Sequence, residues 1–458
     1  MTAGHRVESR QVDLALLVLI VLTLPLEFTK QYFPVQWLEV TRIFMAMGLL
    51  RLGWHILHRQ WLPVPMPVWL AVALVAVVNV GIWLGTRWEN GLIEAASIIL
   101  YPAFGLFVSQ TVRSRRDLSV VALTLSASGA YVALVSIAQE IGDFYIWRAQ
   151  DLEVLGRRNA TFRDPNITAR MLLLAWIALL AIVGSLGRDR LTPRSWILAL
   201  GVSSLYGIGL VLTLSRFGWV FGIVLAVIWL LIGLGRNQRL AVAVAAFGFG
   251  LLVGIFIKPN AVPRASDVPA IIQQTPAPSD SPGVKPGAPE TPLDSIVDGV
   301  LTRLPLDDTR RYLIRAGVAM FADHPLVGVG LGGAQPMLLG PYYRYIPPER
   351  RAEPTSLIHT EIVRIGAETG LVGLASYVAL ILVVCMHLWR ARQNAGGSRI
   401  AILAGAAAFG LLLVASQAEG RFYDEPYLWL LIGVLASEPL WRHNAQGLTA
   451  LSVERAAA

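Results

Sequence analysis

A single cysteine, Cys385, and only three lysines, at positions 30, 258 and 285, occur among the 458 residues. One thiol excludes an internal disulfide and any cysteine-based metal cluster. Within the apolar run LVVCMHLW it reads as a small buried hydrophobe. Charge of either sign is also scarce: 15% of the residues are Asp, Glu, Lys or Arg, against roughly 25% in an ordinary soluble domain. The net charge of +8 is therefore carried by arginine, and the arginines sit in short loops between apolar runs. That distribution marks membrane topology, so no nucleic-acid partner is expected.

What the chain has instead is apolar length. Hydrophobic residues make up 55% of it and the mean hydropathy is +0.59. They come in runs of about twenty, enough to cross a hydrocarbon core of roughly 30 Å as helices. The pattern predicts an all-α polytopic membrane protein with helices at 12–28, 36–57, 66–85, 91–111, 118–139, 167–186, 195–214, 217–235, 239–257, 359–389, 399–416 and 426–441. Alternate connections carry arginine clusters, among them Arg6/Arg10, Arg51/Arg59, Arg113/Arg115/Arg116, Arg188/Arg190/Arg194, Arg236/Arg239 and Arg390/Arg392/Arg399. By the positive-inside rule these connections and both termini are cytoplasmic. The N-terminal stretch has the outline of a signal peptide, but Glu27-Phe28-Thr29-Lys30 follows it where a small-residue cleavage site is required. A retained first helix is expected.

The domain plan that follows is nine helices in 1–257, an outer loop at 258–357, three helices in 358–442 and a cytoplasmic tail at 443–458. The loop has two parts. Nine prolines with Ser, Thr, Gly and Ala fill 259–292, a composition that cannot offset its ordering entropy and predicts a flexible tether. The segment 307–357 reads as ordered. Asp307 or Asp308 can cap a helix with Leu313, Ala316, Gly317, Met320 and Phe321 on one stripe, stopped at Asp323-His324-Pro325. A second outer connection, about 140–166, is also long.

Arginine is normally excluded from outer loops and from the membrane, so arginines that stay there need a reason. Arg216, in LVLTLSRFGWVFG, falls at the outer end of a span, where it reads either as a snorkelling interfacial side chain or as an anion ligand. Arg310 and Arg311 fall in the first turn of the loop helix, whose dipole already favours an anion. A guanidinium fork suits phosphate oxygens. Arg303 and Arg315 read as a solvated helix face. Arg157, Arg158 and Arg163 fit two roles equally, as additions to the same site or as partners of acidic headgroups. Of seven histidines only His324 and His359 fall outside. His324 precedes a proline and reads as a helix stop. His359 opens a helix after PTSL, and a neutral imidazole suits general-base work near pH 7. Neither pairs at metal-ligand spacing, and no DxD-type acidic pair lies outside, so neither metal nor cofactor is expected. Gly328-Val-Gly330-Leu-Gly332-Gly333 fits GxGxxG but lacks a βαβ context; it reads as a turn whose backbone approaches a neighbour closely.

At these places the chain resembles the O-antigen ligase family and the wider group of lipid-linked glycan ligases and Wzy-type polymerases. LTLSRFGW is similar to the family's T-x-S-R segment, and TRRYLIRAGVAMFADHPLVGVGLG to its loop helix with a leading Arg followed by an hPl-GvG turn. His359-Thr360 with Gly370-Leu-Val-Gly373 resembles its His motif with a GxxG close. The likeness covers most of residues 160–420. It implies a GT-C-like glycosyltransferase architecture in a bacterial inner membrane with the active site outside. The implied reaction is a metal-independent, inverting transfer of glycan from a polyprenyl-diphosphate donor to a hydroxyl of a glycan, lipid or other acceptor. Arg216 and Arg310, or Arg311, would hold the diphosphate, with alignment from Arg315-Ala316 favouring Arg310. His359 would activate the acceptor, with Glu361 or Glu368 as candidates to orient it. A glycan polymerase is the alternative within the family, and an anion or small-solute transporter the alternative from another class.

Overall fold

A computed structural model describes residues 3–32, 39–147, 156–185, 192–258, 301, 308–348, 358–394 and 399–437. The expected tether at 259–292, Arg303 and the tail at 443–458 lie outside the described residues. The described chain is a bundle of helices: α1 (Ala3–Thr23), α2 (Val40–Leu57), α3 (Met66–Thr86), α4 (Glu89–Thr111), α5 (Arg115–Gly142), α6 (Pro165–Ser185), α7 (Pro193–Leu212), α8 (Arg216–Arg236) and α9 (Gln238–Ile257). The short helices α10 (Asp308–Asp323) and α11 (Ala334–Leu339) follow, then α12 (Glu361–Asn394), α13 (Arg399–Glu419) and α14 (Pro426–Leu435). Among the described residues ten helices are long and apolar enough to cross a membrane. Large side chains such as Leu50, Leu57, Val77, Leu252 and Phe256 are exposed on their outer surfaces, a pattern that only lipid can cover. The protein is a multi-pass membrane protein.

Two expected spans differ. The first helix ends at Thr23 and begins near residue 3, because Pro25 disfavours helix in the residue before it. Its polar half, unsuited to lipid, is held by Arg10–Asp117 at 2.6 Å and Asp13–Arg51 at 2.8 Å. The last helix, expected over 426–441, stops at Leu435, where Ser437 turns back to bond the Val434 carbonyl. Its ten residues span only about 15 Å. Cys385 is exposed on α12, so it faces outward rather than into the core.

Helix starts follow local chemistry. Ser114 and Asp117 close a capping box at α5, and Thr192 with Pro193 starts α7, each satisfying amides that the first turn leaves unpaired. Glycine permits the closest crossings: a Cβ on Gly250 of α9 would stand 2.0 Å from the Ser204 carbonyl oxygen of α7, so only hydrogen allows that approach. The most buried helix is α6, with Met171, Leu173, Ala175, Trp176 and Leu180 each inaccessible. It forms the axis around which α5, α7, α8 and α13 pack.

The helices alternate in direction, so the C-termini of α1, α7 and α13 meet the N-termini of α2, α6, α8, α12 and α14 at one end of the bundle. This end also carries α10 and α11. The expected stripe is present: Leu313, Ala316 and Met320 of α10 are buried in a second hydrophobic cluster with Leu338, Tyr342 and Ile346, and α10 stops at Asp323. The glycine-rich turn approaches its neighbours as closely as the sequence suggested. Gly328, Gly330 and Gly332 all have positive φ, and their positions stand against α12, Thr86 and Gly91.

That turn completes a break in α12. Gly370 has φ 60° and ψ −157°, a region open essentially to glycine alone. In an unbroken helix the Leu371 and Val372 amides would donate to the carbonyls of Ala367 and Glu368. Here they donate to Pro325 and Leu326 at 2.8 and 3.2 Å. The two abandoned carbonyls accept from Val329 and Gly330 at 2.8 and 2.9 Å. All four groups freed by the break are thereby satisfied by the loop, as backbone away from water requires.

Candidate active site

The segment Thr213-Leu214-Ser215-Arg216 makes the tight connection between α7 and α8. Leu214 adopts a left-handed φ of 50°, and Ser215 caps α8 by accepting from the Gly218 amide at 3.1 Å. Arg216 is the first residue of α8 and is exposed. Arg157 braces the turn from the connection before α6. Its Nε donates to the Thr213 carbonyl at 3.2 Å and its Nη2 to Asn166 Oδ1 at 3.1 Å, the same oxygen that accepts from Ser215 Oγ at 2.8 Å. Burial lowers the Arg157 pKa, Asp164 opposes that, and the Arg216 charge lowers it further. Two guanidiniums with one sign of charge thus stand at a helix N-terminus, an arrangement that favours an anion.

The other two arginines of that connection are placed differently. Arg158 is buried, with Nε on Glu140 at 2.6 Å, Nη2 on Asp143 at 2.9 Å and its head over the Tyr145 ring. Burial opposes its charge, but Glu140 and Asp143 outweigh that and hold its pKa above the ordinary value. Arg163 is exposed, and its backbone amide donates to Glu27.

Arg310 and His359 each approach the end of α13. Arg310 Nη2 donates to the Ala418 carbonyl at 3.4 Å. A Cβ on Gly420, whose φ is 67°, would stand 3.1 Å from the Cα of His359. Arg311, half-buried, follows Arg310 around the helix. Between Ala418 and Gly420 lies Glu419, which accepts from Arg170 of α6 at 2.5 Å; the same guanidinium bonds Glu425. Ala169, beside Arg170, packs against Gly218 in the first turn of α8. Residues 418–420 therefore link the Arg310, His359 and Arg216 neighbourhoods.

Neither candidate partner of His359 is given over to it. Glu361 is fully buried and holds Arg364 with both oxygens, at 3.0 and 3.1 Å, while accepting from the Phe422 amide. Glu368 accepts from the Ala334 amide at 3.3 Å and ties α11 to α12. They fix the backbone on either side of the site.

Beside these residues, and not foreseen from the sequence, is a polar cavity of about 270 Å³. Five basic side chains line it, Lys30, Arg42, Arg170, Arg364 and Arg421, and six acidic ones, Glu27, Glu39, Glu94, Glu419, Asp424 and Glu425. Arg216, Arg310 and His359 do not, but its rim at Ile358 and Gly420 adjoins His359. Burial opposes the Arg421 charge, while Glu27 and Glu419 keep its pKa raised. Burial pushes the Glu425 carboxyl up despite Arg170. The signal in the sequence was the ionisable residues inside apolar runs, Arg42, Glu94, Arg170 and Arg364, which membrane burial makes expensive and hence informative. Among the described residues no group of three or more His, Cys, Asp and Glu is placed to hold a metal ion.

The structure is a helical membrane bundle with its candidate arginines, its candidate histidine and a charged cavity gathered at one end, beside a broken helix. Residues 201–378, from α7 into α12, match the model of the O-antigen ligase family. This match supports the likeness to glycan ligases and Wzy-type polymerases. Arg216, Arg310 and His359 all lie within the matched segment. No curated protein matches the chain.

Proposed function

We propose that the protein is a glycosyltransferase that moves a glycan from a polyprenyl-diphosphate donor to an acceptor hydroxyl at the outer face of the membrane. The observation that carries this reading is the pairing of Arg157 and Arg216 at the N-terminus of α8, joined through residues 418–420 to Arg310 and His359. A diphosphate finds helix amides and guanidinium forks there. The outward orientation is supported by the arginine clusters of the sequence, which fall at the opposite ends of the helices.

In this mechanism the acceptor oxygen attacks the anomeric carbon as the bond from that carbon to the diphosphate oxygen breaks, inverting the configuration. His359 takes the acceptor proton. Arg216, Arg157 and Arg310 stabilise the charge gathering on the departing polyprenyl diphosphate. Arg158 and Glu361 hold the backbone around them. The transporter alternative expects broken helices that open onto a cavity, whereas the break at Gly370 is filled by loop backbone.

The test is transfer from polyprenyl-diphosphate-linked glycan to a panel of lipid and glycan acceptors, with purified protein and EDTA present. Transfer is expected to persist in EDTA. Turnover that depends on added Mg²⁺ or Mn²⁺, or glycoside-free anion uptake into proteoliposomes with no transfer, overturns the proposal. Product that lengthens by repeat units identifies a polymerase, and product joined to a lipid acceptor a ligase.

A further inference from the structure

The charged cavity contains more hydrogen-bonding capacity than the protein itself uses. Arg170 is 1% exposed and its Nε has no hydrogen-bond partner within the described protein; the same holds for Glu419 Oε1 and for the hydroxyl of Tyr427, 4% exposed. Asp424 Oδ1 is a fourth such atom, with its other oxygen 3.7 Å from Arg364. All four residues line the cavity. Buried polar atoms left in this state cost free energy unless a guest satisfies them.

The chemistry of the guest follows from the mixture. A phosphate or carboxylate would meet the carboxylates of Glu94, Glu419, Asp424 and Glu425, and a cation the five basic groups. An apolar chain would leave the four unpartnered atoms unsatisfied. A hydroxyl both donates and accepts, so a neutral polyhydroxyl ring serves carboxylate, guanidinium and phenol together. A cavity of about 270 Å³ is near the lower size of small-ligand pockets, roughly 300 Å³. We infer that this cavity is a saccharide subsite holding one sugar ring beside His359, an assignment that builds on the glycosyltransferase reading. The ring belongs either to the acceptor or to the glycan of the donor.

Two substitutions test it without breaking a hydrogen bond of the fold. Tyr427→Phe removes an oxygen that has no partner among the described residues, and Asp424→Asn removes a charge but keeps the shape. Full-length protein in nanodiscs is examined by saturation-transfer NMR against methyl glycosides of glucose, galactose, rhamnose and N-acetylglucosamine. At least one glycoside is expected to bind the wild type and His359→Ala alike, and each cavity variant about five- to tenfold more weakly at unchanged Tm, the size of a lost hydrogen bond. In the transfer assay the same variants raise one KM by a similar factor and leave kcat within about twofold. A raised acceptor KM assigns the ring to the acceptor, and a raised donor KM to the donor. Absence of glycoside binding by the wild type means that the cavity holds water only and overturns the inference. Variants equal to wild type in affinity and in both KM values also overturn it, while leaving the glycosyltransferase reading intact. Glycoside binding that depends on Tyr427, in a protein that transfers nothing from polyprenyl diphosphate, sinks that reading and keeps the subsite.

Discussion

The two ends of the bundle both bury ion pairs, yet they are built differently. At the end away from the site, Asp13 is 1% exposed and gives one oxygen to Arg51 at 2.8 Å and the other to His55 at 2.7 Å, while the second ring nitrogen of His55 meets Gln60 at 3.1 Å. Asp117 likewise closes a capping box and pairs with Arg10. Both oxygens of Asp13 are answered, and Oδ2 of Asp117 accepts from Arg10 and from the Arg113 and Ser114 amides. At the site end, Arg170, Glu419, Asp424 and Tyr427 each keep one polar atom unanswered by the described residues, around a cavity. A closed pair fixes helices in register; an open set of the same groups costs stability and is retained where a ligand completes it.

Substitutions at the two ends should therefore separate cleanly. The largest effect is expected from His359→Ala, which should lower kcat by about 10²–10⁴-fold, the usual loss for a general base, with Tm and donor KM unchanged; transfer near the wild-type rate would remove His359 from the mechanism. Arg216→Ala and Arg310→Ala should each cost about 10²–10³ in kcat/KM, and lysine should restore little because a point charge does not replace a planar fork. Steady-state kinetics with both variants at each position decides this. Gly370→Ala acts through the backbone, since its Cβ would lie 2.4 Å from the Leu326 carbonyl. It should lower Tm, cost about 1–3 kcal/mol and expose the 325–330 turn to protease, with activity falling alongside.

At the opposite end Asp13→Asn should lower stability by about 2 kcal/mol, below the range for fully buried pairs because Arg51 is partly exposed, while kcat and both KM values stay as in the wild type. A loss of transfer without a loss of Tm would show that the two ends are coupled. The smallest effect concerns pH. Burial alone would raise the Glu27 carboxyl, but Lys30 and Arg421 outweigh it and hold it below the ordinary glutamate range. Its charged form therefore stabilises the fold above that ordinary value of about 4.3, and the contribution fades as pH falls through the lowered native value. Thermal melts should show a drop on acidification that Glu27→Gln flattens.

Helix placement was legible because lipid imposes one rule on every span. The run expected over 167–186 is the helix Pro165–Ser185, and the loop helix carries its stripe and its stop where they were read. The ends were less legible where a distant partner changes the local balance. Asp117, more than a hundred residues on, lets α1 begin near residue 3 despite Arg10. In the site, Arg216, Arg310 and His359 were readable as violations of sidedness or as motif residues. Arg170 was marked only by its place in an apolar run, because its meaning lies in Glu419 and Glu425, about 250 positions away. Arg157 could be named but not ranked above Arg158; only the acceptors each one finds, the Thr213 carbonyl against Glu140, separate them.

The exchange of hydrogen bonds between 325–330 and 367–372 has a consequence for inheritance and engineering. The two stretches behave as one unit written at two places in the gene, because each supplies the amides and carbonyls that the other lacks. A graft of the glycine-rich turn from a protein of similar sequence should work only when the helix segment around Gly370 comes with it, and substitutions in either stretch should be accepted in pairs rather than singly.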